Sequence, residues 1–135
     1  MHIKLYPLRI PSGWAVTYNA YFADTAMEVE NNRILNSEYF KEDLLMIQQL
    51  KLDQGTWVVD DSGWLIDVGW YPDSDPTGAY RLTLVRGGWD EIIFQVVRKK
   101  GSDIQQLIDE MLDDLARKGS VQSIAQRMDR FSAEQ

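Results

Sequence analysis

Two runs of strand-forming residues, Trp64 to Tyr71 and Tyr80 to Val85, flank Pro72-Asp73-Ser74-Asp75-Pro76-Thr77-Gly78, a stretch of turn formers. Within it, Asp75-Pro76-Thr77-Gly78 has proline at the second turn position and glycine at the fourth. Pairing Trp70 with Tyr80 places Trp64, Ile66, Val68, Trp70, Leu82 and Leu84 on one face. A two-residue hairpin turn at Ser62-Gly63 adds Trp57, Val59 and Asp61 to that face. A two-residue Gly87-Gly88 turn would bring Glu91 and Gln95 inward. A three-residue loop, Gly87-Gly88-Trp89, brings in Ile92, Phe94 and Val96 instead, and is preferred. The expectation is a four-stranded antiparallel meander over about residues 56–97.

Around this centre the patterning is weaker. His2 to Leu8 alternates, Pro11-Ser12-Gly13 supplies turn residues, and Trp14, Val16 and Tyr18 alternate again, which predicts an N-terminal hairpin. Residues 20–36 carry one turn signal, Asn31-Asn32. Phe40, Leu44, Ile47 and Leu50 recur at helical spacing behind a cap at Asn36 or Ser37, so a helix is expected from Asn36 to Leu50, stopped by Asp53-Gln54-Gly55. Ser102-Asp103-Ile104-Gln105 reads as a capping box ahead of the stripe Ile104, Leu107, Ile108, Met111 and Leu115. Gly119 would end that helix. Ser120 would cap a last one, with Val121, Ile124, Ala125 and Met128 inward. The fold class expected is α+β: the meander, an N-terminal hairpin, one helix before the sheet and two C-terminal helices on its apolar face. With no linker or repeat, residues 1–135 read as a single domain, long enough to bury roughly 68% of its unfolded surface.

Composition narrows the chemistry. There is no cysteine and one histidine, His2, so thiol nucleophiles, His-Asp pairs and the usual zinc ligand sets are excluded, and no cofactor is expected. Net charge is −7, which disfavours nucleic acid and anionic lipid as partners. The excess is concentrated: residues 53–80 hold six aspartates and no Lys or Arg, whereas residues 81–100 sum to +3. No signal core or transmembrane stretch is evident, and a cytoplasmic location is expected.

The sheet face opposite the tryptophans carries Asp60, Leu65, Asp67, Gly69, Tyr71, Arg81, Thr83 and Gln95. Asp67 falls opposite Thr83 and diagonal to Arg81. Gly69 and Thr83 are slight, so Asp67 is expected to stand in solvent, where an Asp–Arg pair is worth about 0–1 kcal/mol. Asp60, Asp67, Tyr71, Asp73, Asp75 and Arg81 are the candidate partner-binding residues, facing a basic protein. Asp73 to Gly78 opens like a calcium loop, but position twelve is Leu84, so it reads as a turn and no metal site is assigned. Trp57, Trp64 and Trp70 read as core, with a sugar-binding platform as the alternative. On the first C-terminal helix, Asp113 and Asp114 stand four residues before Arg117 and Lys118, the favourable order for ion pairs.

The segment WLIDVGWYPDSDPTGAYRLTLVR and the residues after it resemble a stretch of small acidic bacterial immunity proteins, encoded beside secreted or contact-delivered toxins. The matching residues are Asp67, Gly69, Trp70, Pro72, Asp75, Pro76, Gly78, Trp89 and Asp90, while VVRKKG departs from the expected acidic run. The resemblance implies a non-enzymatic inhibitor whose acidic patch masks a basic surface on a cognate toxin. A carbohydrate-binding module, a carboxylate-dependent hydrolase and an oligomerising structural domain are the alternatives. Oligomeric state is left open.

Overall fold

The computed structural model describes residues 4–23, 25–89 and 91–117. Its elements run β1 (Trp14–Asn19), β2 (Val29–Glu30), β3 (Arg33–Ile34), a 3-10 turn (Ser37–Tyr39), β4 (Leu45–Asp53), β5 (Thr56–Val59), β6 (Trp64–Tyr71), β7 (Ala79–Arg86), β8 (Ile92–Arg98) and α1 (Gly101–Ala116). Six strands form one antiparallel sheet ordered β1-β4-β6-β7-β8, with β5 also paired to β4. The short β2–β3 hairpin stands apart, turning at Asn31 and Asn32, both at positive φ. The molecule is thus mostly antiparallel sheet with one described α-helix. This corrects the expected layout of meander, N-terminal hairpin, preceding helix and paired C-terminal helices.

The β6–β7 pair follows the predicted register, Trp70 opposite Tyr80 and Asp67 opposite Thr83. In β7–β8 the predicted faces hold, but Leu84 meets Phe94 where a three-residue loop would give Ile92. A bulge between Leu84 and Val85 absorbs the shift and leaves Ile92 exposed, not in the core as expected. Ile66, Val68, Trp70, Tyr80, Leu82, Leu84 and Val96 then face Ile104, Leu107, Ile108, Met111 and Leu112 of α1 across a single core. The helix starts at Gly101 with Lys100 at its N-cap, and no side chain caps it, so the capping box at Ser102 is not used. The Asp113–Arg117 pair forms at 3.1 Å. Lys118, the stop at Gly119 and the last predicted helix lie outside the described residues.

The expected helix from Asn36 to Leu50 is a 3-10 turn followed by the central strand β4. Leu44, Leu45, Met46 and Ile47 are apolar without a break, so the segment satisfies a helical stripe and a two-sided strand equally. Placement between β1 and β6 decides it, overriding the helix propensity of Leu, Met, Gln and Lys. β4 turns through Gln54 and Gly55, both at positive φ, into β5, with Asp53 opposite Thr56. β5 and β6 then pair with successive stretches of β4 in the same direction. Ser62-Gly63 therefore does not reverse the chain. Residues 60–63 loop out of one long hairpin, closed by Asp60 N–H to the Gln49 carbonyl (2.9 Å) and Trp64 N–H to Gln49 Oε1 (3.1 Å).

The N-terminal hairpin is also corrected. β1 pairs with β4, with a bulge between Val16 and Tyr18. The stretch before it is extended chain laid along α1, its Arg9 N–H reaching Asp109 Oδ1 (3.0 Å) and its Pro7 carbonyl accepting from Gln105 (2.7 Å). Tyr6, Leu8 and Ile10 pack on the core, so the alternation read from the sequence is real, but its pairing is a single antiparallel bridge from Leu5 to Phe22 and not a hairpin with β1.

Candidate functional site on the open sheet face

Among the described residues, no helix lies on the sheet face turned away from α1. The chain entering β4 lies against this face, where Asp67, Thr83 and Val85 are buried. Trp70 N–H donates to the Lys41 carbonyl (2.7 Å) and Leu44 N–H to the Val68 carbonyl (3.0 Å), so Glu42 and Asp43 arch out between two anchored residues. The arch passes directly over Gly69, where a Cβ would overlap the Glu42 carbonyl oxygen. Only glycine admits that approach in the middle of a strand. Asp73 fastens the arch from the other side, accepting the Glu42 N–H at 2.9 Å and pairing with Lys41 at 3.6 Å.

Asp67 lies beside this arch and is 6% exposed, which corrects the expectation of a solvated carboxylate. Gly69 and Thr83 are slight, yet the glycine lets a separate chain segment close in over the carboxylate. Among the described residues its carboxylate accepts no hydrogen bond, although its tip still touches solvent. Arg81 forms no ion pair with it; the guanidinium stacks 3.9 Å from the centroid of the Tyr71 ring. Burial pushes the Asp67 pKa up to about 6, the nearby Asp43 carboxylate adds to the shift, and Arg81 opposes it. Burial, with Asp67 and Glu42 close by, also raises the Tyr71 phenol, whose hydroxyl points at the Glu42 carbonyl (3.4 Å).

The fold thus brings Asp67, Tyr71 and Arg81 together and adds Glu42 and Asp43, which the sequence reading had assigned to a helix. The one available signal was a glycine in the middle of an otherwise apolar strand. The other candidates sit elsewhere. Asp60 is at the far end of β6, where it takes the Ser62 N–H (3.0 Å) inside the 60–63 loop. Asp73 and Asp75 are occupied within the loop between β6 and β7. The Glu42 N–H and Ser74 hydroxyl hold Asp73 below the usual carboxylate range, and the Thr77 hydroxyl and N–H do the same for Asp75. The Tyr71–Pro72 peptide bond in this loop is cis.

Among the described residues no group of three or more His, Cys, Asp or Glu is arranged to hold a metal ion. The tryptophans form no continuous platform. Trp70 is in the core, Trp64 faces Arg86 at 4.9 Å, and Trp57 on β5 is 53% exposed, so its assignment to the core is corrected. What this face does offer is a recessed carboxylate that lacks a donor among the described residues and whose pKa is pushed up to about 6. Such a group takes up a proton, or a cationic donor brought from outside. No described helix is long and apolar enough to cross a membrane. Comparison with family models, with curated proteins and with solved structures finds no match for this chain.

Proposed function

We propose that this chain is a non-enzymatic binding protein of the cytoplasm, which receives a Lys or Arg side chain of a basic protein partner at Asp67. The observation that carries the reading is the Asp67 carboxylate itself: nine-tenths buried, without a hydrogen bond among the described residues, and open at its tip. A buried charge left unpaired destabilises the isolated protein, and a partner's cation would relieve it. Glu42 and Asp43 on the arch add negative charge around the entrance, in a chain of net −7. Tyr71 offers a ring face to the stem of the incoming side chain once Arg81 swings aside. An immunity-type inhibitor covering a basic toxin surface fits this chemistry, and the resemblance over residues 64–90 points the same way.

The test uses the full chain and N-acetyl-lysine methylamide, followed by amide chemical shifts. Shifts confined to Asp43 and the residues around Asp67, Gly69 and Arg81, and abolished in Asp67→Asn, support the site. In cells, the chain should protect against the product of an adjacent toxin-like reading frame, with protection lost in Asp43→Lys. Shifts scattered over all acidic residues, or unchanged in Asp67→Asn, would remove Asp67 as the anchor.

The same carboxylate favours a second reading. An aspartate titrating near pH 6 beside Asp43 has the properties of a general acid in a carboxylate-dependent hydrolase. Turnover of aryl glycosides by the wild type, absent in Asp67→Asn, would move the protein to that class.

A further inference from the structure

A cleft of ≈ 760 Å³ opens on the other side of the sheet, at the start of α1. Its volume lies within the range of sites for small organic ligands. Its floor is aromatic and largely covered: Phe40, Trp70 and Tyr80 line it at 3%, 3% and 6% exposure, Phe40 and Tyr80 each meeting Trp70 edge to face with ring centroids 5.0 Å apart. The opposite rim is cationic and carries backbone donors. Arg98-Lys99-Lys100 leads straight into the first turn of α1, and Lys99, Lys100, Gly101 and Ser102 line the cleft.

Two features of this corner are unexplained by folding alone. A lysine stands at the N-cap, where the helix dipole repels positive charge, and no side chain caps the first-turn N–H groups. The Tyr80 side chain is 6% exposed, yet its hydroxyl has no hydrogen-bond partner among the described residues, and the residue lines the cleft. That hydroxyl is not sealed from solvent, and Tyr80 is a residue of the cleft lining. A buried phenol is normally paired. Lys99 is held in place by the Thr77 and Gly78 carbonyls (3.2 and 2.7 Å), which fixes a positive charge at the mouth.

We propose that this cleft binds a small aromatic carboxylate, its ring lying over the exposed edges of Trp70 and Tyr80 and its carboxylate among the Tyr80 hydroxyl, Lys100 and the first-turn N–H groups of α1. One ligand would meet each unexplained feature: it supplies the acceptor Tyr80 lacks, the negative charge Lys100 opposes and the cap the helix is without. Burial pushes the Tyr80 phenol up to about 12, so the hydroxyl remains a donor at neutral pH. The site lies across the sheet from Asp67 and does not depend on it.

The experiment titrates the full chain with 2-naphthoate, 2-naphthylmethanol and acetate, following the amide resonances of Gly101 and Ser102. Naphthoate is expected to saturate at millimolar concentration or below. The alcohol and acetate should each bind at least about tenfold more weakly, the margin of one or two charge-assisted hydrogen bonds. Tyr80→Phe removes only the hydroxyl and should weaken naphthoate by about tenfold. Lys100→Gln, on the exposed rim, should weaken naphthoate but not the alcohol. No saturation by naphthoate, equal binding of the alcohol, or unchanged affinity in both folded variants would overturn the assignment.

Discussion

The Arg81 guanidinium lies over the face of the Tyr71 ring, 3.9 Å from its centroid, and leaves Asp67 without an ion pair. The cation diagonal to the recessed carboxylate is engaged with a neighbour, so among the described residues Asp67 has no direct charge partner and Arg81 offsets its burial only in part. The pH behaviour of the protein follows from that placement.

An unfolded Asp67 has the ordinary value of 3.8 and the folded one titrates near 6, so between those values the native state holds the extra proton. The native state is favoured most below the unfolded value, and stability declines as pH rises through about 6. Because solvent reaches the carboxylate tip, the loss is about 2 kcal/mol, less than the full shift would give. Asp67→Asn cannot ionise and should be about that much more stable than wild type above pH 7, with most of the difference gone near pH 4. Urea unfolding at the two pH values measures it, and a destabilised variant at high pH would count against an unpaired Asp67.

Gly69→Ala places a Cβ into the Glu42 carbonyl, a backbone atom that cannot rotate away. A loss of about 3 kcal/mol is expected from the forced shift. If the arch lifts, Asp67 regains solvent and its carboxyl should titrate closer to the ordinary value, visible by side-chain carboxyl NMR. A neutral substitution would mean that the arch is loosely held.

Gln49 closes the 60–63 loop through its side-chain oxygen, which accepts the Trp64 N–H at 3.1 Å. Gln49→Ala removes that acceptor from a half-buried donor and should cost about 1–2 kcal/mol. Hydrogen exchange at the Trp64 amide should quicken more than at Ile66. Uniform acceleration along β6 would indicate a general loss of stability.

Arg98 is 5% exposed, donates from Nη1 only to the Val97 carbonyl (2.8 Å), and has no partner at Nη2 among the described residues. Arg98→Met keeps the apolar stem and removes the stranded donor. Thermal unfolding should show a gain of about 1–2 kcal/mol. A loss would count against a stranded donor at this position.

Legibility in the sequence tracked how local each decision was. The β6–β7 register followed from Trp70, Tyr80 and the turn residues between them, and α1 from its stripe beginning at Ile104, because neighbouring residues settle both. The segment from Leu44 to Ile47 was different: its apolar side chains serve helix or strand, and only β1 and β6 on either side choose. Ser62-Gly63 misled for a related reason, since a turn signal does not say whether the chain reverses or resumes its course. At the site, Asp67, Tyr71 and Arg81 could be placed on one face from alternation. Their cover could not, because Glu42 and Asp43 arrive from more than twenty positions away.

Both outer strands of the large sheet carry a register shift, β1 between Val16 and Tyr18 and β8 opposite Leu84 and Val85. These strands also leave Val16, Tyr18, Ile92 and Val97 exposed, the composition from which cross-β stacking starts. A bulge twists an outer strand and interrupts its row of free N–H and C=O groups, so an approaching copy meets only a short flat stretch. Along β1 and β8 these irregularities hinder edge-to-edge addition of another copy, whereas the edge of β5 away from β4, unpaired among the described residues, carries no such shift.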